Sequence, residues 1–132
     1  MKTKIIIVGS TGKLGIKLLK YCKKFKINIF CITCFKNIKL LKKQSSNNNI
    51  RNYFVLSKEH ERKSFSKFLN YHSINLIYFL DYGYSSLTYA NIFLKKNKYS
   101  QIAIANKEMI IAGGSALVNN IKNSKNTLIP LD

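Results

Sequence analysis

Six apolar runs constrain this chain more than any other feature: "KIIIV" at 4–8, "INIFCITCF" at 27–35, "NYFVL" at 52–56, "INLIYFL" at 74–80, "QIAIA" at 101–105 and "TLIPL" at 127–131. Each is nearly continuous in apolar side chains and several are rich in Ile, without the in-and-out alternation of a strand that has one wet face. A strand buried on both faces needs helices above and below its sheet, as in parallel sheets built from crossover units. Segments with helical spacing separate the runs: "KLGIKLLKYCKKF" at 13–25, "HERKSFSKFLNYH" at 60–72, "YSSLTYANIFLKKN" at 84–97 and "KEMIIAGGSALVNNIKN" at 107–123. Alternating strands and helices with right-handed crossovers predict an α/β fold, a Rossmann-like doubly wound, mostly parallel sheet with helices on both faces. The polar, turn-rich stretch "KKQSSNNNIRN" at 42–52 reads as a surface connection with no chemistry of its own. At 132 residues, with 46% hydrophobic residues and a single Pro, the chain is expected to fold as one domain, 1–132.

The first run ends in "VGSTGKLG", where Gly9, Gly12 and Gly15 stand at every third position. A parallel strand that turns tightly into a helix leaves the first N–H groups of that helix unpaired, and such groups attract phosphate. The spacing G-x-x-G-x-x-G is compatible with a dinucleotide diphosphate and also with a plain turn whose glycines serve helix packing. Position favours the dinucleotide, because a nucleotide-binding fold carries its phosphate turn after the first strand. An ATP-type phosphate loop is excluded, since Ile7 stands where its first glycine belongs and Leu14 where its hydroxyl belongs. After the second run an NAD enzyme usually carries an acid for the ribose hydroxyls. This chain has "CFKNIK", and Lys36 with Asn37 would meet a 2′-phosphate, favouring NADP over NAD. The plain alternative for Lys36 is one more solvated lysine.

Lys and Arg number 23 against 5 Asp and Glu, a formal charge of +18, which raises the question of a nucleic-acid partner. The lysines are scattered, arginines are few, and aromatic residues sit inside apolar runs instead of alternating with basic ones on an open face. Abundant Lys, Asn and Ile together match AT-rich coding, so much of the charge reads as compositional and no sequence-specific nucleic-acid binding is expected. Cys22, Cys31 and Cys34 are an odd set that argues against a disulfide framework and for a reducing compartment. Cys31 and Cys34 have C-x-x-C spacing, yet three positions apart on a strand they point to opposite faces, which suits core packing and not joint metal binding. His60 and His72 read as surface histidines. The first apolar run is too short for a signal peptide or a membrane span, so a cytoplasmic protein with no membrane partner is expected.

Two later stretches, "IAIANKEMIIAGG" at 102–114 and "LIPLD" at 128–132, together with "VGSTGKLG" and "FKN" at 35–37, resemble the 1-deoxy-D-xylulose 5-phosphate reductoisomerase family. "ANKE" at 105–108 looks like its most distinctive motif. The resemblance implies an NADPH- and divalent-metal-dependent oxidoreductase of non-mevalonate isoprenoid synthesis. That enzyme rearranges and reduces 1-deoxy-D-xylulose 5-phosphate to 2-C-methyl-D-erythritol 4-phosphate. Carried over, NADPH contacts fall on Thr11, Gly12, Lys13, Leu14, Lys36, Asn37, Asn106 and Glu108, with Lys107 on the phosphosugar. Asp132 matches the first acidic ligand of the Mn or Mg ion, which in the family opens a D-S-E sequence.

The chain departs from the family at Phe35, where the family has glycine, and in "FLDYGYSS", which keeps only Gly83 of a later glycine-rich turn. No residue of this chain is assigned a catalytic role. The expectation is the N-terminal cofactor domain of such an enzyme, without turnover alone. A separate chain would then carry the catalytic domain, or the gene would be a fragment, the complete family enzyme being a homodimer. An NADP-binding domain of another dehydrogenase is the second reading and a small basic nucleic-acid-binding protein the third.

Overall fold

The structure is a computed structural model, and it describes residues 3–81, 86–97, 100–105 and 127–130. Its strands are β1 (Ile5–Val8), β2 (Cys31–Cys34), β3 (Asn52–Val55), β4 (Leu76–Phe79), β5 (Gln101–Ile104) and β6 (Thr127–Pro130). The helices among the described residues are α1 (Lys13–Lys24), α2 (Ile38–Asn48), α3 (Glu59–Tyr71) and α4 (Ser86–Lys96). All the strands join one sheet in the order β3-β2-β1-β4-β5-β6, every neighbouring pair parallel. The order reverses direction between β1 and β4, and open α/β sheets bind ligands at the carboxyl edge of such a reversal.

Strands β1 to β5 together feed two cores. Ile6, Val8, Cys31, Ile77, Phe79, Ile102 and Ile104 pack with Phe65 and Leu69 of α3 and Ala90 and Phe93 of α4. Ile5, Ile7, Ile32, Cys34 and Val55 pack on the opposite face with Leu19 and Cys22 of α1 and Leu41 of α2. Successive strand residues point to opposite faces, so continuous apolar runs are what a sheet covered on both sides requires. Cys31 and Cys34 accordingly lie in different cores, all three cysteines are free, and burial pushes each thiol up, Cys34 to about 11.

Three sequence expectations are corrected. The stretch at 42–52 is no mere connection: residues up to Asn48 continue α2, which Asn37 caps by accepting from the Leu40 N–H at 3.3 Å and Asn49 ends in a left-handed conformation. Ile27–Phe30 do not extend β2; the chain leaves α1 through Lys26 at φ 55° and the Ile27 N–H returns to the Cys22 carbonyl at 2.8 Å. His60 is exposed as expected, but His72 is half-buried in an aromatic group, 4.5 Å from Phe68 and 5.1 Å from Phe30 between ring centres. Burial first and Lys4 second push the His72 pKa down. The helix expected over 107–123 lies outside the described residues. Among the described residues no helix is long and apolar enough to cross a membrane.

Candidate functional site

The turn from β1 into α1 is built by its glycines in three different ways. Gly9 has φ +91°, and a methyl group there would stand 2.8 Å from the Asp81 backbone nitrogen, so both its conformation and its neighbour demand glycine. A methyl at Gly15 would stand 2.4 Å from the Gly9 carbonyl oxygen and 2.5 Å from Ser10 Cα, so the first turn of α1 lies directly on the loop. Gly12 differs: the nearest atom to an added methyl is 3.8 Å away and its backbone is extended. Among the described residues nothing requires glycine at position 12, and its missing side chain leaves this side of the α1 end open.

That end carries no side-chain cap and no acidic residue in its first turn. Asn37 caps α2 with its side chain; α3, like α1, has no side-chain cap, but unlike α1 it carries two acidic residues, Glu59 and Glu61, in its first turn. Glu61 also accepts from the Val55 N–H at 2.9 Å. An uncapped N-terminus at the carboxyl edge of the central strand offers N–H groups and the positive end of the helix dipole to an anion.

Of the residues marked from sequence, Thr11, Gly12, Lys13 and Leu14 fall at this end of α1, and Lys36 and Asn37 follow β2, its neighbour in the sheet. The two segments are tied together, since the N–H groups of Gly9 and Ser10 both donate to the Thr33 carbonyl at 3.0 and 2.9 Å. Lys36 and Phe35 are exposed. Asn37 spends its side-chain oxygen on the cap of α2, a structural role beside any contact to a ligand. Asn106, Lys107, Glu108 and Asp132 lie outside the described residues.

Beside the turn a cavity of about 220 Å³ is walled by Gly9, Thr33, Phe35, Arg62, Asp81 and Tyr89 among others. Motif reading did not single out Thr33, Arg62 or Tyr89 as site residues, because they come from β2, α3 and α4 and converge only in space. Arg62 Nη1 donates to the Leu56 carbonyl at 3.0 Å, which anchors the guanidinium. Among the described residues the buried Thr33 hydroxyl has no hydrogen-bond partner, a cost of about 1–3 kcal/mol. The Ser86 hydroxyl meets both carboxylate oxygens of Asp81 at 2.8 and 2.6 Å, and burial lifts that carboxyl to about 6 against the pull of the hydroxyl. Among the described residues no three His, Cys, Asp or Glu stand close enough together to hold a metal ion.

An open helix end, a tight glycine turn and an amphipathic cavity together suit a ligand with a diphosphate and a heteroaromatic group. The comparisons agree with that geometry. The sequence profile of 1-deoxy-D-xylulose 5-phosphate reductoisomerase matches residues 5–91. The reductoisomerase of Pelagibacter ubique (strain HTCC1062) is 33% identical over 98% of this chain and 38% of its own length. Among solved structures, that of the Zymomonas mobilis reductoisomerase in complex with NADPH superposes with a TM-score of 0.83 at 16% identity, covering 100% of this chain and 39% of the other. A reductoisomerase solved with fosmidomycin and magnesium gives 0.84 at 16% identity over 98% of this chain and 37% of the other. At such identity the structures speak for the fold, while the profile and the relative speak for descent. The chain spans about 38% of the length of that relative, and by sequence it belongs to the 1-deoxy-D-xylulose 5-phosphate reductoisomerase family.

Proposed function

We propose that these 132 residues are one domain, the NADPH-binding part of a reductoisomerase. The complete enzyme converts 1-deoxy-D-xylulose 5-phosphate to 2-C-methyl-D-erythritol 4-phosphate in isoprenoid precursor synthesis. The observation that carries the reading is the contrast among the glycines: Gly9 and Gly15 are required by close backbone contacts, whereas a methyl at Gly12 meets no described atom nearer than 3.8 Å and the position is open to a ligand approaching α1. The residues fit the cofactor. N–H groups of Gly12, Lys13 and Leu14 receive the diphosphate with the Thr11 hydroxyl beside them, and Lys36 meets the 2′-phosphate. Arg62 supplies a cation to the adenosine end in the cavity it lines.

When bound, NADPH supplies the hydride and a divalent ion supplies Lewis acidity, while the protein contributes position and electrostatics. Asn106 and Glu108 hold the nicotinamide side, Lys107 neutralises substrate oxygens, and Asp132 contributes one carboxylate toward a Mn or Mg ion. The remaining metal ligands and the catalytic domain belong to the part of the enzyme beyond the matched segment, on this polypeptide or a second one, in a homodimer. Three free, buried cysteines fit a reducing cytoplasm.

Titration of the purified chain with NADPH, followed by cofactor fluorescence, is expected to saturate, and more tightly than with NADH. A folded chain that gives no saturable signal overturns the proposal. Turnover of the phosphosugar by these residues alone, with NADPH and Mn²⁺, would overturn the division of labour.

A further inference from the structure

Ser10, between the positive-φ Gly9 and the open Gly12, is buried and fully engaged. Its N–H donates to the Thr33 carbonyl at 2.9 Å, and its hydroxyl and carbonyl both face Gln44, buried on α2. Gln44 Nε2 donates to the Ser10 carbonyl at 2.9 Å, and the Ser10 hydroxyl donates to Gln44 Oε1 at 2.8 Å. A carbonyl can only accept, so the first bond fixes which end of the amide is which, and the second follows with no atom left over. On the opposite side the absent side chain of Gly15 lets α1 rest against the same residue. Ser10 is thus held between two helices and the end of β2.

We infer that Gln44 is a positioning residue for the cofactor turn. Its amide fixes the Ser10 backbone, so that the N–H groups at residues 12–14 converge on the diphosphate before the ligand arrives. The inference rests on the cofactor reading above. An apolar side chain of equal length would fill the space beside α2 but would leave the buried Ser10 carbonyl without its Gln44 donor and the hydroxyl with only the longer contact to the Thr33 carbonyl at 3.4 Å, free to reorient the peptide. Pre-set donors bind more tightly than donors ordered on binding, because their ordering cost is already met by folding.

The test compares the wild-type chain with Gln44→Met, Ser10→Ala, the double variant and Leu41→Ala. Leu41 is an apolar residue on the same buried side of α2. Gln44→Met is expected to raise the NADPH Kd about tenfold while the chain stays folded. The double variant should bind no worse than Gln44→Met alone, since both remove one interaction. Leu41→Ala should lower Tm and leave Kd within about twofold at a temperature where the chain is folded. Residue-resolved hydrogen exchange on the ligand-free chain adds a readout that needs no cofactor and no loss of stability: in Gln44→Met, or in Ser10→Ala if the first does not fold, exchange at residues 9–12 should quicken while α3 stays protected. Unchanged exchange at the turn together with unchanged Kd overturns the inference, and so does a Leu41→Ala effect on Kd as large as that of Gln44→Met. Quickened exchange in a chain whose wild type binds no NADPH leaves the clamp standing and sinks the cofactor reading instead.

Discussion

Gly15→Ala is the sharpest probe of how α1 meets the phosphate turn. The new methyl would lie 2.4 Å from the Gly9 carbonyl oxygen, 2.5 Å from Ser10 Cα and 2.6 Å from Ser10 C, about 1 Å inside ordinary contact and against backbone on every side. No side chain can swing away, so helix or loop must shift. Overpacking of this kind costs about 1–3 kcal/mol, with the upper end expected against rigid backbone. Alanine's better helix propensity returns at most about 1 kcal/mol, the figure for a helix interior, at this first-turn position. The net loss is then about 2 kcal/mol, or roughly 5–10 °C in Tm for a domain of this length. Gly12→Ala is the matched control, for its methyl meets nothing nearer than 3.8 Å. A poorer N-cap and a less flexible unfolded chain nearly offset, so its Tm should stay within about 3 °C. Its NADPH affinity should still fall if the proposed diphosphate contacts hold, because the methyl is added beside the N–H groups assigned to them. Thermal melts by circular dichroism and cofactor titrations on the same samples separate the two effects. A Gly15→Ala chain that melts like wild type would refute the contact, and a Gly12→Ala chain that binds NADPH as wild type does would refute the placement of the diphosphate.

Asp81 makes stability depend on pH in an unusual direction. Its carboxyl is lifted from 3.8 to about 6, so between those values the folded state holds the proton more tightly than the unfolded state and stability falls as pH rises from about 4 to 6. Asp81→Asn should remove that slope and stabilise the chain at pH 7 by about 2–3 kcal/mol. Denaturant unfolding at pH 4.5 and 7 checks both, and a variant with the wild-type slope contradicts the assignment. Lys36→Ala should weaken NADPH and leave NADH unchanged in parallel titrations; an equal loss for both would place the 2′-phosphate elsewhere. With Cys34 at about 11 and Cys31 fully buried, alkylation by iodoacetamide at pH 8 should be slow in the folded chain and fast in denaturant, as followed by mass spectrometry. Rapid native labelling of either thiol would contradict their burial.

Local sequence determined the layers of this protein. The dihedral repeat of a strand or helix lies within a few residues, so "KIIIV" and "INLIYFL" announce strands buried on both faces, and "VGSTGKLG" announces a tight turn into a helix. Where the local signal was thin the reading failed: only Leu41 and Gln44 of α2 are buried, too few for a helical stripe to show through a polar stretch. The proposed site is contiguous in sequence only at Gly12–Leu14 and Lys36–Asn37, which is where motif reading could mark it. Its remaining partners were decided by tertiary structure alone. Gln44 meets Ser10 across 34 residues of chain, and Asp81 meets Gly9 because β4 pairs with β1. A buried polar group takes its partner from whichever segment the sheet order brings alongside, and the order β3-β2-β1-β4-β5-β6 is a property of the closed chain that no short window of residues contains.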